Sequence, residues 1–351
     1  MKRAEWVDST RFFAIFVIMS THFLAMACPS ALSLWEEPPA AYLLSGLTGK
    51  LSVAFFCVLL GYFAAKPRPF SFKSFLDYSF KRYFQFAFYI LLTTVVFVAA
   101  SYAVTWLFHT PEGSVYRVIC DGPKYNVLYI LHDSFLFECT YNDTLWCMRQ
   151  LFVSSILCYL LGSLLRNARP IVSLLVCALI IAALLLTGSR ELTWIANCVL
   201  GYTLRIYTVL RERRARRLSG LAAALLFMAA VALIKAPLQE GVTLYFLEGL
   251  GSLLLLIVLM ELPWCQRLLG RSPFPWLGFI SMGLYVTHTP VYSIILSSLY
   301  ALMKGVVPEA LALSACFVVS VALVILCSWL LEKAYRKAGA ILFRAPAAAA
   351  V

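Results

Sequence analysis

The sequence predicts an all-α fold: a polytopic membrane helix bundle of about ten transmembrane helices, with both termini cytoplasmic. Three observations carry this. Apolar residues make up 62% of the 351-residue chain and charged residues 13%, with a mean hydropathy of +0.85. Soluble chains are only about half apolar and a quarter charged. The apolar residues gather in runs near the length that crosses a bilayer core. The basic residues concentrate in alternate connections between those runs.

The runs lie at roughly 12–28, 43–64, 83–107, 146–165, 170–187, 192–209, 218–235, 244–260, 276–300 and 309–331, with boundaries set by apolar length. An even number of spans puts both termini on one side. With the N-terminus inside, 21 of the 29 basic residues fall on cytoplasmic segments, seven fall on outer segments and outer helix ends, and Arg11 opens the first span. That bias fixes the orientation. The net charge of +12 therefore reflects membrane sorting. The densest cluster, Arg211 to Arg217, lies between two apolar runs and reads as a loop on anionic lipid headgroups, not as a nucleic-acid site. Residues 1–340 read as a single transmembrane domain and 341–351 as a short Ala-rich tail.

The first run follows Lys2 and Arg3 as a signal peptide would, but Asp8 and Arg11 precede its apolar part and many spans follow. It reads as an uncleaved first span. Arg11 and His22 are eleven residues apart, which returns a helix to nearly the same azimuth at a separation of roughly 16 Å. Asp8, three residues before Arg11, shares its face and can hold the guanidinium. Ionisable groups inside lipid are costly and signal function. The trio describes either a polar cavity entering from the cytoplasmic end, or a headgroup anchor followed by a histidine that bonds within the bundle. A neutral imidazole at position 22 is suited to serve as a general base.

In the second span, Gly61 allows close helix approach and Tyr62 suits the interfacial belt. Lys50, at its outer part, either snorkels or points into a polar cavity. The inner segment 65–82 reads as a long basic loop with Pro67 and Pro69. The outer segment 108–145 is the largest on its side, and 124–138 within it reads as a short interfacial helix. Cys120 and Cys139 of that segment would pair if the compartment is oxidising. The other nine cysteines mostly sit in apolar runs, and no spacing suggests a metal site. Arg149 opens the fourth span, either as a boundary anchor or as a contact for an anionic or sugar-rich acceptor. In the ninth span, Ser281, Tyr285 and His288 share one helical face, and Pro290 kinks the helix without ending it.

Taken in order, these pieces resemble the acyltransferase-3 family of integral-membrane O-acyltransferases. Asp8, Arg11 and His22 match its opening pattern; Phe55, Phe56, Gly61 and Tyr62 match the end of its second helix. Leu145 and Trp146 match the opening of a middle helix. Ser281, Leu284, Tyr285 and His288 match a late pattern, and Glu332 and Lys333 the closing one. Two positions depart from the family. Leu60 stands where Ser is usual, and Lys81-Arg82 is followed by Gln85 without the family's second Arg and Pro.

The resemblance implies transfer of an acyl group, most often acetyl from acetyl-CoA, to a hydroxyl of a cell-surface or lipid-linked carbohydrate in a bacterial inner membrane. No permanently bound cofactor is implied; acyl-CoA is a co-substrate, and membrane lipid and the carbohydrate are the partners. His22 would act as base or transient acyl carrier with Arg11 and Asp8, and His288, Tyr285 and Ser281 would support it. Lys81 and Arg82 would meet the phosphates of the donor, while Lys50 and Arg149 would face the acceptor. A flippase of lipid-linked sugar, or an inactive relative acting in glycan assembly, are the alternatives.

Overall fold

The computed structural model describes residues 5–27, 49–64, 66–108, 127–136, 142–214, 219–234 and 241–343. Among these the chain is helical throughout, and its one β feature is an isolated bridge between Lys304 and Val307. The helices are α1 (Glu5–Ala27), α2 (Gly49–Ala64), α3 (Phe72–Phe108), α4 (Val127–Leu136), α5 (Met148–Leu164), α6 (Pro170–Leu186) and α7 (Arg190–Arg214). They continue as α8 (Gly220–Ile234), α9 (Val242–Glu261), α10 (Pro263–Leu269), α11 (Phe274–Phe279), α12 (Ser281–Ile295) and α13 (Glu309–Leu342). By length and composition five segments can cross a membrane: Glu5–Ala27, Phe72–Ala100, Leu145–Leu164, Val242–Glu261 and Glu309–Leu342. Three apolar helices, Ser52–Ala64, Pro170–Leu186 and Gly220–Ile234, are shorter.

Each apolar run expected from the sequence holds helix, but several boundaries differ. The expected loop 65–82 is helical from Phe72 onward, so α3 has 37 residues and a length of roughly 55 Å. The expected span 276–300 is broken at Ile280, then runs as α12 and ends in a π-turn over Leu296–Tyr300. Pro290 lies inside α12 without ending it. The interfacial helix expected at 124–138 is α4. The final helix runs through Leu342, and residues 344–351 of the tail lie outside the described residues. So do Cys120, Cys139 and the connection 215–218.

The chain divides into two compact units. The first comprises residues 1–21, 30–82 and 147–278. Its organising element is α7, which packs against α2, α5, α6 and α9. Trp194, Asn197 and Val199 are fully buried on it. Gly61 of α2 and Gly201 of α7 make this closeness possible. A Cβ on Gly61 would run into the Cys198 carbonyl, and one on Gly201 into the Val58 carbonyl. On α8 the small residues Ala223 and Ala230 turn inward, while Leu221, Leu225 and Met228 stay exposed. That is the arrangement lipid favours, because lipid solvates large apolar side chains and small ones let backbones approach.

The second unit comprises residues 22–29, 83–146 and 279–351. Its centre is α12, buried from Ser281 through Pro290 apart from partial exposure at Met282. On α13 the residues Ala312, Cys316, Ser320, Val324 and Ser328 recur every fourth position and are buried, while Leu311, Val318, Leu326 and Leu330 are exposed. This stripe gives α12 its seat: Gly283 packs on Ser328, whose hydroxyl lies 3.2 Å from the Thr287 hydroxyl.

Candidate active site

The second unit places His22 against His288. His22 Nδ1 lies 2.8 Å from His288 Nε2, and the two rings are nearly parallel with centroids 5.1 Å apart. His22 is partly exposed and His288 fully buried. The other nitrogen of His288, Nδ1, lies 2.7 Å from the Tyr285 carbonyl and 3.2 Å from the Leu284 carbonyl. A carbonyl only accepts, so Nδ1 of His288 carries the proton. In the neutral pair, His288 Nε2 is then an acceptor, and His22 Nδ1–H donates to it. This leaves the acceptor lone pair of His22 on Nε2. A buried imidazole thus fixes the tautomer of a more accessible one.

Local sequence explains why the pair is held. Ser20 and Thr21 bond to the carbonyls of Phe16 and Val17, and the ring of His22 meets α12. Phe23 contacts Tyr292 and Phe317, which locks the last turns of α1 in this unit. On α12, Pro290 has no N–H to donate to the Val286 carbonyl. Buried Asn142 donates to that carbonyl instead, at 3.3 Å. Tyr285 stands 5.9 Å from His288, ring to ring. Ser281 opens α12 with a buried hydroxyl that has no hydrogen-bond partner among the described residues.

The structure thus brings His22 together with His288 and Tyr285. Ser281 lies in this unit as well, and the other candidate site residues expected from the sequence sit in the first unit. Arg11 pairs with Asp8 at 3.5 Å, as their spacing predicts. There the start of α1 is pinned by Ser9, which bonds to the Leu269 carbonyl at 2.5 Å, and by Gly278, where a Cβ would meet the Asp8 backbone. Lys81 is exposed and bridges to Asp77 one turn earlier, at 2.8 Å. Arg82 is partly buried on the same helix. Arg149 makes an exposed two-pronged contact with Glu191, at 3.3 and 3.4 Å. Lys50 lies in the first turn of α2, with its side chain outside the described residues.

One residue and two contacts escape the sequence reading, and of these Glu332 itself is matched only as part of the closing Glu-Lys pattern. Tyr292 extends the polar stripe one turn beyond His288; it is fully buried, edge-on to that ring at 5.8 Å. The i+4 spacing could have revealed it. Glu332 receives the Tyr89 hydroxyl and pairs with Arg336 at 2.9 Å, which gives the Glu-Lys motif a packing role. In the first unit, the Arg68 guanidinium lies over Tyr159 at 4.2 Å and Tyr78 at 5.2 Å, and the two rings stack on each other at 4.5 Å. No local spacing announces that contact, because the residues lie far apart in the chain.

A helical chain with five segments long and apolar enough to cross a membrane, and with a histidine pair inside one of its units, has the build of an integral-membrane protein. It belongs to the acyltransferase-3 family: the family's model, described as an acyltransferase domain, matches residues 4–331. The chain is therefore a membrane acyltransferase by family. No curated protein and no solved structure matches it.

Proposed function

We propose that the protein moves an acyl group, acetyl in the simplest case, from acyl-CoA to a hydroxyl of a cell-surface or lipid-linked carbohydrate. The observation that carries this reading is the 2.8 Å contact between His22 Nδ1 and His288 Nε2. With its Nδ1 proton engaged, His22 offers Nε2 to an acceptor hydroxyl. Nε2 takes the hydroxyl proton as the oxygen attacks the thioester carbonyl. The carbon–sulfur bond breaks, CoA leaves as the thiolate, and the imidazolium returns the proton to sulfur. In the alternative two-step course, Nε2 itself attacks and carries the acyl group to the acceptor. His288 positions His22 in both courses.

The proposal includes about ten spans with both termini cytoplasmic, in a bacterial inner membrane. The acyl-CoA then arrives from the basic side of the protein. Arg11, Lys81 and Arg82 are candidates for contact with its phosphates, and Lys50 and Arg149 for contact with the acceptor. The test compares transfer from labelled acetyl-CoA to membrane glycans in vesicles carrying wild type or His22→Ala at matched protein levels. Label that depends on wild-type protein supports the reading. Equal label with both would remove His22 from the chemistry.

A further inference from the structure

Among the described residues of the first unit, Arg68 is a cation without a carboxylate. Arg11, Lys81, Arg149 and Arg336 each meet one. Arg68 is partly buried, and no described carboxylate lies within ion-pairing distance of it. Its Nη2 donates one long hydrogen bond, to the Ala64 carbonyl at 3.4 Å. Its Nε is buried with no hydrogen-bond partner among the described residues.

The sequence explains the shortage. Arg68 stands between Pro67 and Pro69 just beyond α2, where the helix cannot continue. Residues 65–82 carry five basic residues, Lys66, Arg68, Lys73, Lys81 and Arg82, against one acid, Asp77. Lys81 takes that acid. The segment therefore has no counter-charge left for Arg68.

Two tyrosines hold the guanidinium in place. It lies over Tyr159 of α5 at 4.2 Å and over Tyr78 of α3 at 5.2 Å. Ring faces attract a cation, but they give its in-plane N–H groups no acceptor. The Tyr78 hydroxyl donates to the Ser155 carbonyl at 3.4 Å. Tyr159 is 1% exposed, and its hydroxyl is buried with no hydrogen-bond partner among the described residues. Two buried donors thus stand at one place, and one of them is charged. A buried charge without a counter-ion and a buried donor without an acceptor are both costly. An anion with several acceptor oxygens meets both needs. A carboxylate has two oxygens, which the guanidinium fork alone can occupy. A phosphate fits the same fork and keeps a further oxygen for a hydroxyl donor.

We propose that Arg68, seated on Tyr78 and Tyr159, is a phosphate-binding site, with the Tyr159 hydroxyl as its second donor. It belongs to a different unit from the histidine pair and does not depend on the acyl-transfer reading. The phosphate has two sources on the side that the proposed orientation makes cytoplasmic: the headgroup of an anionic phospholipid, and the CoA part of a donor.

The test titrates the full-length protein in detergent with dihexanoyl-phosphatidylglycerol, with dihexanoylglycerol, which lacks the phosphate, and with CoA, and reads the melting temperature. A saturable rise with phosphatidylglycerol or CoA, and none with dihexanoylglycerol, is expected. A rise with phosphatidylglycerol alone makes the source a lipid headgroup, and a rise with CoA alone makes it the donor. A rise with both makes the site open to either. Arg68→Gln should weaken the effective probe by about tenfold or more, and Tyr159→Phe, which keeps the ring, by about threefold. Lys337→Gln removes an exposed positive charge elsewhere and should stay within about twofold of wild type. No rise with either phosphate, an equal rise with dihexanoylglycerol, or equal losses in Arg68→Gln and Lys337→Gln overturns the site. If Arg68→Gln does not accumulate, Arg68→Lys takes its place, since it keeps the charge without the fork. Unchanged affinity in both Arg68→Lys and Tyr159→Phe would then overturn the proposal.

Discussion

The two units of the molecule use their polar side chains differently. In the first, three of the charges that the sequence singles out end in ion pairs: Arg11 with Asp8, Lys81 with Asp77 and Arg149 with Glu191. The last two pairs are about half exposed, where solvent screening leaves such contacts with about 0–1 kcal/mol. In the second unit Glu332 pairs with Arg336 in the same way, but the candidate site is built from histidine, tyrosine and serine side chains. His288 is fully buried with both ring nitrogens engaged, and its partner His22 keeps partial exposure. In the candidate site the polar groups are imidazoles held by hydrogen bonds, whereas the charged residues named above are held in ion pairs. The reason is desolvation. A neutral ring can be buried once its hydrogen bonds are made, whereas a charge in lipid needs a partner or water.

The comparison breaks most sharply at His22. His22→Ala should lower acyl transfer by about 10²–10⁴-fold, with the protein still accumulating in the membrane. His288→Ala should reduce kcat by about tenfold to a hundredfold and leave the donor KM near wild type, because it removes the positioning of His22 and no donor contact. His288→Gln restores a hydrogen-bond acceptor and should recover part of that loss. A kcat for His288→Gln no better than for the alanine variant would make His288 a packing residue only. Gly61→Val tests the other unit. It should impair insertion or lower the melting temperature in detergent, since the added side chain would meet the Cys198 backbone. The smallest effects are expected at Lys81→Ala and Arg149→Ala, each changing stability by less than about 1 kcal/mol. A large rise in the donor KM for Lys81→Ala would break the contrast and give that lysine to the donor site.

Much of the site was legible because helical period is a strong constraint. The eleven-residue step from Arg11 to His22 and the stripe Ser281, Tyr285, His288 follow from rotation per residue alone. The Asp8–Arg11 pair follows from i, i+3 spacing. Gly61 was read as a close-approach residue, and the Cys198 carbonyl lies where its missing Cβ would be. The basic stretch before span three reads as loop in the sequence and is helix from Phe72 onward. Pro67 and Pro69 do interrupt the chain, but from Phe72 the residues have no breaker, and the apolar span continues the same helix. Span nine was read as unbroken across Ile280, where nothing in the apolar pattern signals the turn.

The sequence by itself determined the helical class, the places of the apolar segments and the faces that carry ionisable residues. Each depends only on composition and on the local geometry of one helix. Only the tertiary structure decided which faces meet. His22 and His288 are 266 residues apart, and no periodicity links them. Their pairing depends on the small-residue stripe of α13 that seats α12, and on Asn142 capping the carbonyl that Pro290 leaves open. Those contacts fix the tautomer of His22, because a proton's place on an imidazole is set by the partners of both rings.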